Sequence, residues 1–270
     1  DTVRRQRQMC IRDSYTAAKN VVEKLPGVSR VYMGGFVASI VEGEDFNSFY
    51  GGYFEKNADG SFVTDAGGFP VIADENGVTG SAQPDYRAGL GASITKGNWD
   101  LSFIFETTQG NEMWAGTYSV LHYFGIHPNT AVESVAPQDL AIYGGGTIPA
   151  GTTFRGNIGN FGGAPVALEE SWYRTDGGGF GSQDELFIFD ASFIKLREVS
   201  LSYSLPSSIL EPIGAKGGSL GITGRNFLLQ TDFPDVDPEI SLVGAGKARG
   251  VEYFTNPNTE SVLLNLKLNF

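Results

Sequence analysis

This sequence predicts an all-β fold, an antiparallel transmembrane barrel wall with long loops, and three patterns carry that prediction. Apolar side chains alternate with polar ones over several stretches of about ten residues, the period of a strand with one oily and one wet face. Glycine is abundant at 37 of 270 residues, aromatics reach 12%, and charged residues are only 19%. Long and short connections between the strands alternate, which in an up-and-down barrel gathers the long loops at one end.

Composition sets outer bounds. A net charge of −12 argues against nucleic acid as a partner, because phosphate binding needs a basic face. No run of 18 apolar residues exists to make a spanning helix, which leaves a strand-built membrane protein open. Cys10 is the only cysteine, so neither a disulfide framework nor a cysteine metal site is expected. The chain opens without an apolar leader core, so it is either cytoplasmic or lacks its true N-terminus. Residues 1–14, DTVRRQRQMCIRDS, carry Arg4, Arg5, Arg7 and Arg12. They resemble translated sequencing-adaptor read-through and are read as non-native, with the native chain, 15–270, starting near Tyr15.

Along the chain, YTAAKNVVEKLPGV (15–28) is expected to begin as a short helix stopped by Pro26-Gly27. Residues 30–41 and the aromatic-rich 48–54 read as extended, and 57–85, rich in Gly, Asp and Asn, as loop. The clearest hairpin pairs Tyr86, Ala88, Leu90, Ala92 and Ile94 with Trp99, Leu101, Phe103 and Phe105 across a turn at Lys96-Gly97-Asn98. Residues 109–185 read as a long irregular excursion. Ile188 to Leu205 reads as one strand whose apolar parity switches between Leu196 and Val199, which requires a β-bulge near Arg197-Glu198. A short connection (206–218), a strand (219–229), a second long loop (230–258) and a final strand follow. That final strand places Val262, Leu264, Leu266, Leu268 and Phe270 on one parity.

Several blocks now resemble one family in the right order. DASFIKLREVSLSYSLP (190–206), LGITGRNFLLQTDFPDVDPE (220–239) and PDYRAGLGASITKGNWDLSFIFETTQGNEMWAGT (84–117) resemble the C-terminal region of SusC/RagA-type TonB-dependent outer-membrane transporters. The resemblance spans 15–270. It implies a bacterial outer-membrane location, a barrel of about 22 strands, a SusD-like lipoprotein lid and TonB as the energy source. Import of oligosaccharides or oligopeptides is the implied activity. The family's plug and TonB-contacting parts have no counterpart here. The resemblance further implies that the terminal aromatic, Phe270, is read by the barrel-assembly machinery, with outer-membrane lipid around the wall.

No catalytic, cofactor or metal residues are expected, and the chain is not read as an enzyme. His122 and His127 stand five apart, which suits neither a strand face nor the helical pair of a zinc site. Glu169-Glu170 are adjacent, a poor arrangement for paired acid–base work, and are read as solvated. Asp235, Asp237 and Glu239 alternate in PDVDPE but lack EF-hand spacing, so a structural loop is the reading. Trp99 and Tyr203 suit an interfacial girdle. Trp114, Tyr118, Tyr123, Trp172 and Tyr173 in the long loop either stack on a captured oligomer or pack that loop on itself. Arg87, Lys195, Arg197, Arg225 and Lys267 fall on the wet parity and would line the lumen, pairing with plug acids rather than substrate. A secreted carbohydrate-binding β-sandwich and a glycoside hydrolase are the rival readings.

Overall fold

Alternation becomes a wall in the computed structural model, which describes residues 7–179, 184–244, 246 and 248–270. Six antiparallel strands lie in the order of the chain: β1 (Arg7–Thr16), β2 (Tyr86–Lys96), β3 (Trp99–Gln109), β4 (Phe193–Ser204), β5 (Gly217–Thr231) and β6 (Ser261–Asn269). Register lines up the apolar rows: Leu90 faces Phe105, Leu101 faces Leu201, Leu201 faces Ile222 and Ile222 faces Leu264. At one end of this row the rings of Trp99 and Tyr203 sit 4.7 Å apart. The opposite row is polar, with Thr95 donating to Asp100 (2.6 Å) and Ser200 bonded to Thr223 (2.9 Å).

The oily row is not covered by any part of the described chain. Leu264 is 78% exposed, Leu266 66% and Leu220 52%. Covering one such side chain is worth about 1.5–3 kcal/mol, so leaving a whole face in water would exceed the usual stability margin of about 5–15 kcal/mol. A β-sandwich buries this face against a second sheet, and no second sheet lies against it among the described residues. Lipid is the solvent that suits it, and strands of this length cross a bilayer at a tilt of about 45°.

The expected bulge is present. Leu196 pairs with Phe105 and Glu198 with Ile104, so Arg197 is the extra residue against β3. On the β5 side the register also slips, between Lys195 and Leu196, next to Leu228 with φ +54°. The bulge puts Arg197 and Glu198 on the same polar face and restores Val199, Leu201 and Tyr203 to the oily one.

Connections alternate as expected. Gly97-Asn98 closes the β2–β3 hairpin with Gly97 at φ +62°, a Gly-first turn. Residues 205–216 join β4 to β5 through the helical turn Ser207–Leu210. The other three connections, 17–85, 110–192 and 232–260, are long, yet they are not structureless. Together they fold into a cap at one end of the wall, and the hydrophobic core lies in that cap. Its principal cluster joins Val37 and Phe49 of the first connection, Trp114 and Phe187 of the second and Val251 of the third, all at or below 5% exposure. A small sheet stitches them: Glu112–Ala115 pairs with Ile188–Asp190 on one side and with Val251–Glu252 on the other. At Gly250 (φ +76°) a Cβ would come within 2.9 Å of the Phe49 ring, so the third connection docks only because that residue is glycine.

Three sequence expectations are corrected. The short helix over 15–28 is absent: Tyr15 and Thr16 finish β1, and Val22 exchanges backbone hydrogen bonds with residues 43 and 44. The single strand 188–205 is two. It breaks at Ala191-Ser192, where Asp190 accepts from the Ser192 N–H and Ser192 Oγ accepts from the Gly110 N–H. The irregular 109–185 contains strands, the helix α1 (Gly116–Tyr123) and the short helix α2 (Glu170–Tyr173). Of the stretch 1–14, residues 1–6 lie outside the described residues, and from Arg7 the chain runs in register with β2.

Two consequences are measurable. Leu201→Arg, in the middle of the oily row, is expected to lower stability in a bilayer by about 2–4 kcal/mol, read by denaturant unfolding of the full-length protein in liposomes. Ser202→Arg, on the polar row, should cost far less, and equal losses would contradict the face assignment. In the cap, burial pushes the Asp184 carboxyl up to about 6, against the pull of the Gly52 backbone. A carboxyl raised in the fold favours the folded state when protonated. Its contribution is therefore complete below the unfolded value of about 4 and lost as pH rises through about 6. Cap melting followed across this range should become flatter in Asp184→Asn.

Candidate functional site

The polar face of the wall and the underside of the cap meet around β4. Lys195 is only 1% exposed, and a buried ammonium is tolerated only when paired. It donates to Asp237 and, at 2.7 Å, to Glu239, both in the third connection. Arg197, placed inward by the bulge, forks onto Glu239 and donates through Nε to Glu106 of β3 at 2.6 Å. Asn258 donates to Asp237 at 2.9 Å, and the Glu239 N–H reaches Asp237 Oδ1 at 3.0 Å. The alternating acids of PDVDPE are thus anchors of the loop to the wall. Burial raises the Asp237 carboxyl, but the hydrogen bonds from Lys195, Asn258 and the Glu239 N–H outweigh it and hold the group below its usual value.

Beside this network lies a cavity of about 640 Å³, whose lining includes Arg87, Glu106, Asn111, Arg197, Glu239 and Arg249. Arg225 stands apart and pairs with Glu198 at 2.9 Å, while Lys267 faces Ser219 on the exposed edge of the wall. All five wet-parity cations therefore lie on the polar face by register. Lys195, Arg197 and Arg225 each pair with an acid of this chain.

A second link joins the connections above the wall. His122 lies on α1, not in a loop, and is buried. Its Nδ1 lies 2.8 Å from the Tyr118 carbonyl, which only accepts, so Nδ1 carries the proton. The rings of His122 and His127 stack at 4.2 Å. His127 Nδ1 accepts from the Asn129 N–H at 3.1 Å, so its Nε2–H points to Asp235 at 2.8 Å. Neutral imidazoles satisfy every one of these contacts, and the pair ties the second connection to the third.

The loop aromatics divide. Trp114, Trp172 and Tyr173 are buried and pack the cap: Trp114 against Phe36 and Tyr253, Trp172 against Phe54 and Phe69. Tyr118 is half-buried against both histidines. Tyr123 and Tyr173 border a smaller cavity of about 380 Å³ between α1, α2 and the strand Thr153–Arg155. Glu169, read as solvated, caps α2 by accepting from the Ser171 N–H at 2.9 Å. The anchoring of Asp237 and Glu239 has a signal in the sequence, acids on one parity opposite cations on the wet parity of a bulged strand. The His127–Asp235 contact has none, because 108 residues separate the partners.

Lys195→Met should leave the buried Asp237 without a cation, while Glu239 keeps Arg197, at a cost of about 3–5 kcal/mol, and expose 232–250 to limited proteolysis. A depressed Asp237 contributes stability above about pH 4 and loses it as pH falls through its folded value. Wild-type protein should therefore show the same proteolytic release only below about pH 4.

No family model matches the chain. Two curated proteins of Formosa agariphila do: TonB-dependent receptor P26, 28% identical over 222 residues, and TonB-dependent receptor P3, 24% identical over 290 residues. These alignments cover 81% and 95% of this chain but only 19% and 26% of the relatives, so the chain spans about a fifth to a quarter of their length. Among solved structures, the RagAB peptide transporter aligns with a TM-score of 0.59, and the RagAB peptide importer in its open-open state with 0.58. Both are 15% identical, covering 98% of this chain and 27% of theirs. That likeness concerns the fold. In sequence and fold the chain is thus similar to the β-barrel wall and folded loops of TonB-dependent receptors, the SusC/RagA-type proteins of the bacterial outer membrane.

Proposed function

We propose that this chain forms part of an importer that carries oligosaccharides or oligopeptides across the outer membrane, energised by TonB and served by a SusD-like lipoprotein. The observation that carries this reading is the two-faced wall: an uncovered apolar row outside, and a polar row inside onto which Lys195 and Arg197 clamp a long loop. A hydrolase needs convergent carboxylates with a free acid–base pair. In the network on β4, Glu106, Glu198, Asp237 and Glu239 are each engaged by a cation, so this cluster supports a structural clamp rather than an acid–base pair. The likeness in fold to the RagAB peptide importer supports import as the direction of transport and oligopeptides as one class of cargo. We further propose that residues 1–14 are not native: by register Asp13 faces Leu90, which puts a carboxylate into the lipid-facing row.

The test is uptake by cells carrying the full-length protein, with fluorescent oligosaccharide and oligopeptide libraries as cargo. Deleting the gene or inactivating TonB should each abolish accumulation of the same cargo, and a SusD-like lipoprotein should co-purify. Accumulation that survives both deletions, or a full-length protein that stays soluble and monomeric without detergent, would overturn the proposal.

A further inference from the structure

We infer that the cavity between α1, α2 and the strand Thr153–Arg155 is a binding site for one neutral glycosyl unit. Its volume, about 380 Å³, falls at the small end of ligand cavities, roughly 300–1,000 Å³. Its lining carries balanced charge: Arg155 and Arg174 against Glu169 and Glu170. A ligand carboxylate would meet the two glutamates, and a ligand ammonium the two guanidiniums. Hydroxyls, which donate and accept at once, suit both pairs together.

Two further features point to a ligand. His122, only 5% exposed, lines this cavity and has Nδ1 committed to Tyr118. Its Nε2 is then a lone-pair acceptor without a partner among the described residues. Burial, and then the neighbouring His127, hold the imidazole below its ordinary value against the pull of the Tyr118 carbonyl, so it remains an acceptor at neutral pH. The second feature is rigidity. Arg155 is fixed by donating to Thr130 O (3.0 Å) and Gly125 O (2.7 Å), and the Tyr173 ring by accepting from Asn157 at 3.1 Å. Tyr173 and Phe154 supply apolar surface on which the C–H face of a sugar ring can lie, and fixed partners reduce the entropy lost on binding.

This inference rests on the importer reading only for the cap facing outward; the binding itself can be measured without transport. Full-length protein in detergent is titrated with methyl glucoside, methyl galactoside and methyl mannoside, followed by saturation-transfer NMR, with free glutamate and lysine as charged comparisons. At least one methyl glycoside should bind saturably. Affinity should fall about tenfold in Glu170→Ala, an exposed change with no folding burden, and in His122→Phe, which keeps a ring but removes Nε2. Absence of saturable glycoside binding, equal binding of the charged amino acids, or unchanged affinity in Glu170→Ala would overturn the site. Loss of uptake dependence with glycoside binding intact would refute the importer reading alone.

Discussion

Because Arg197 is the one extra residue of β4 against β3, two neighbouring side chains share the polar face, and much of the architecture hangs on that. Without the bulge, Ile194 and Leu196 would be out of phase with Val199, Leu201 and Tyr203, and one half of the strand would present its apolar row to the polar side. With it, the oily row is continuous, and Lys195, Arg197 and Glu198 lie inward within one turn of the pleat. Two of them capture Asp237 and Glu239, and the third captures Arg225. The defect in the ladder therefore both keeps the wall amphipathic and fixes where the cap is tied down.

Stability in this chain is divided between two solvents. The wall has almost no buried apolar core of its own, since its oily face belongs to lipid and its other face is polar. The apolar clusters that resemble a soluble interior all lie in the three long connections. Those connections cannot fold separately: each contributes to the cluster around Phe49, Trp114 and Val251, and the small sheet centred on Glu112–Ala115 needs strands from two of them. The wall brings the roots of the connections together, which reduces the loop-closure cost of assembling a core from distant segments.

What is legible in the sequence follows from range. Period-two alternation is local, so the wall strands, the Gly97-Asn98 turn and the parity switch at Arg197 can all be read directly. Gly and aromatic density in 109–185 reads as an irregular loop because its pairing partners lie elsewhere: Trp114 pairs in register with Val251, and Phe49 packs under Gly250. Short strands of two to four residues carry too few alternations to announce themselves. The aromatic residues are visible but their direction is not, and burial turns Trp114 and Trp172 from prospective ligand contacts into core.

The same long-range logic explains why the histidines matter to the cap. His127 reaches Asp235, two residues before the anchor Asp237 that binds Lys195. One short run of the third connection thus bonds upward to the segment after α1 and downward to β4. Asp235 adopts φ +62° to do so, a left-handed conformation that costs a non-glycine residue of order 1 kcal/mol or more and persists because contacts on either side fix it. PDVDPE acts as a rivet between wall and cap. Its alternating acids look like ligands because facing two cationic or hydrogen-bonding partners at once demands the same alternation that a metal would.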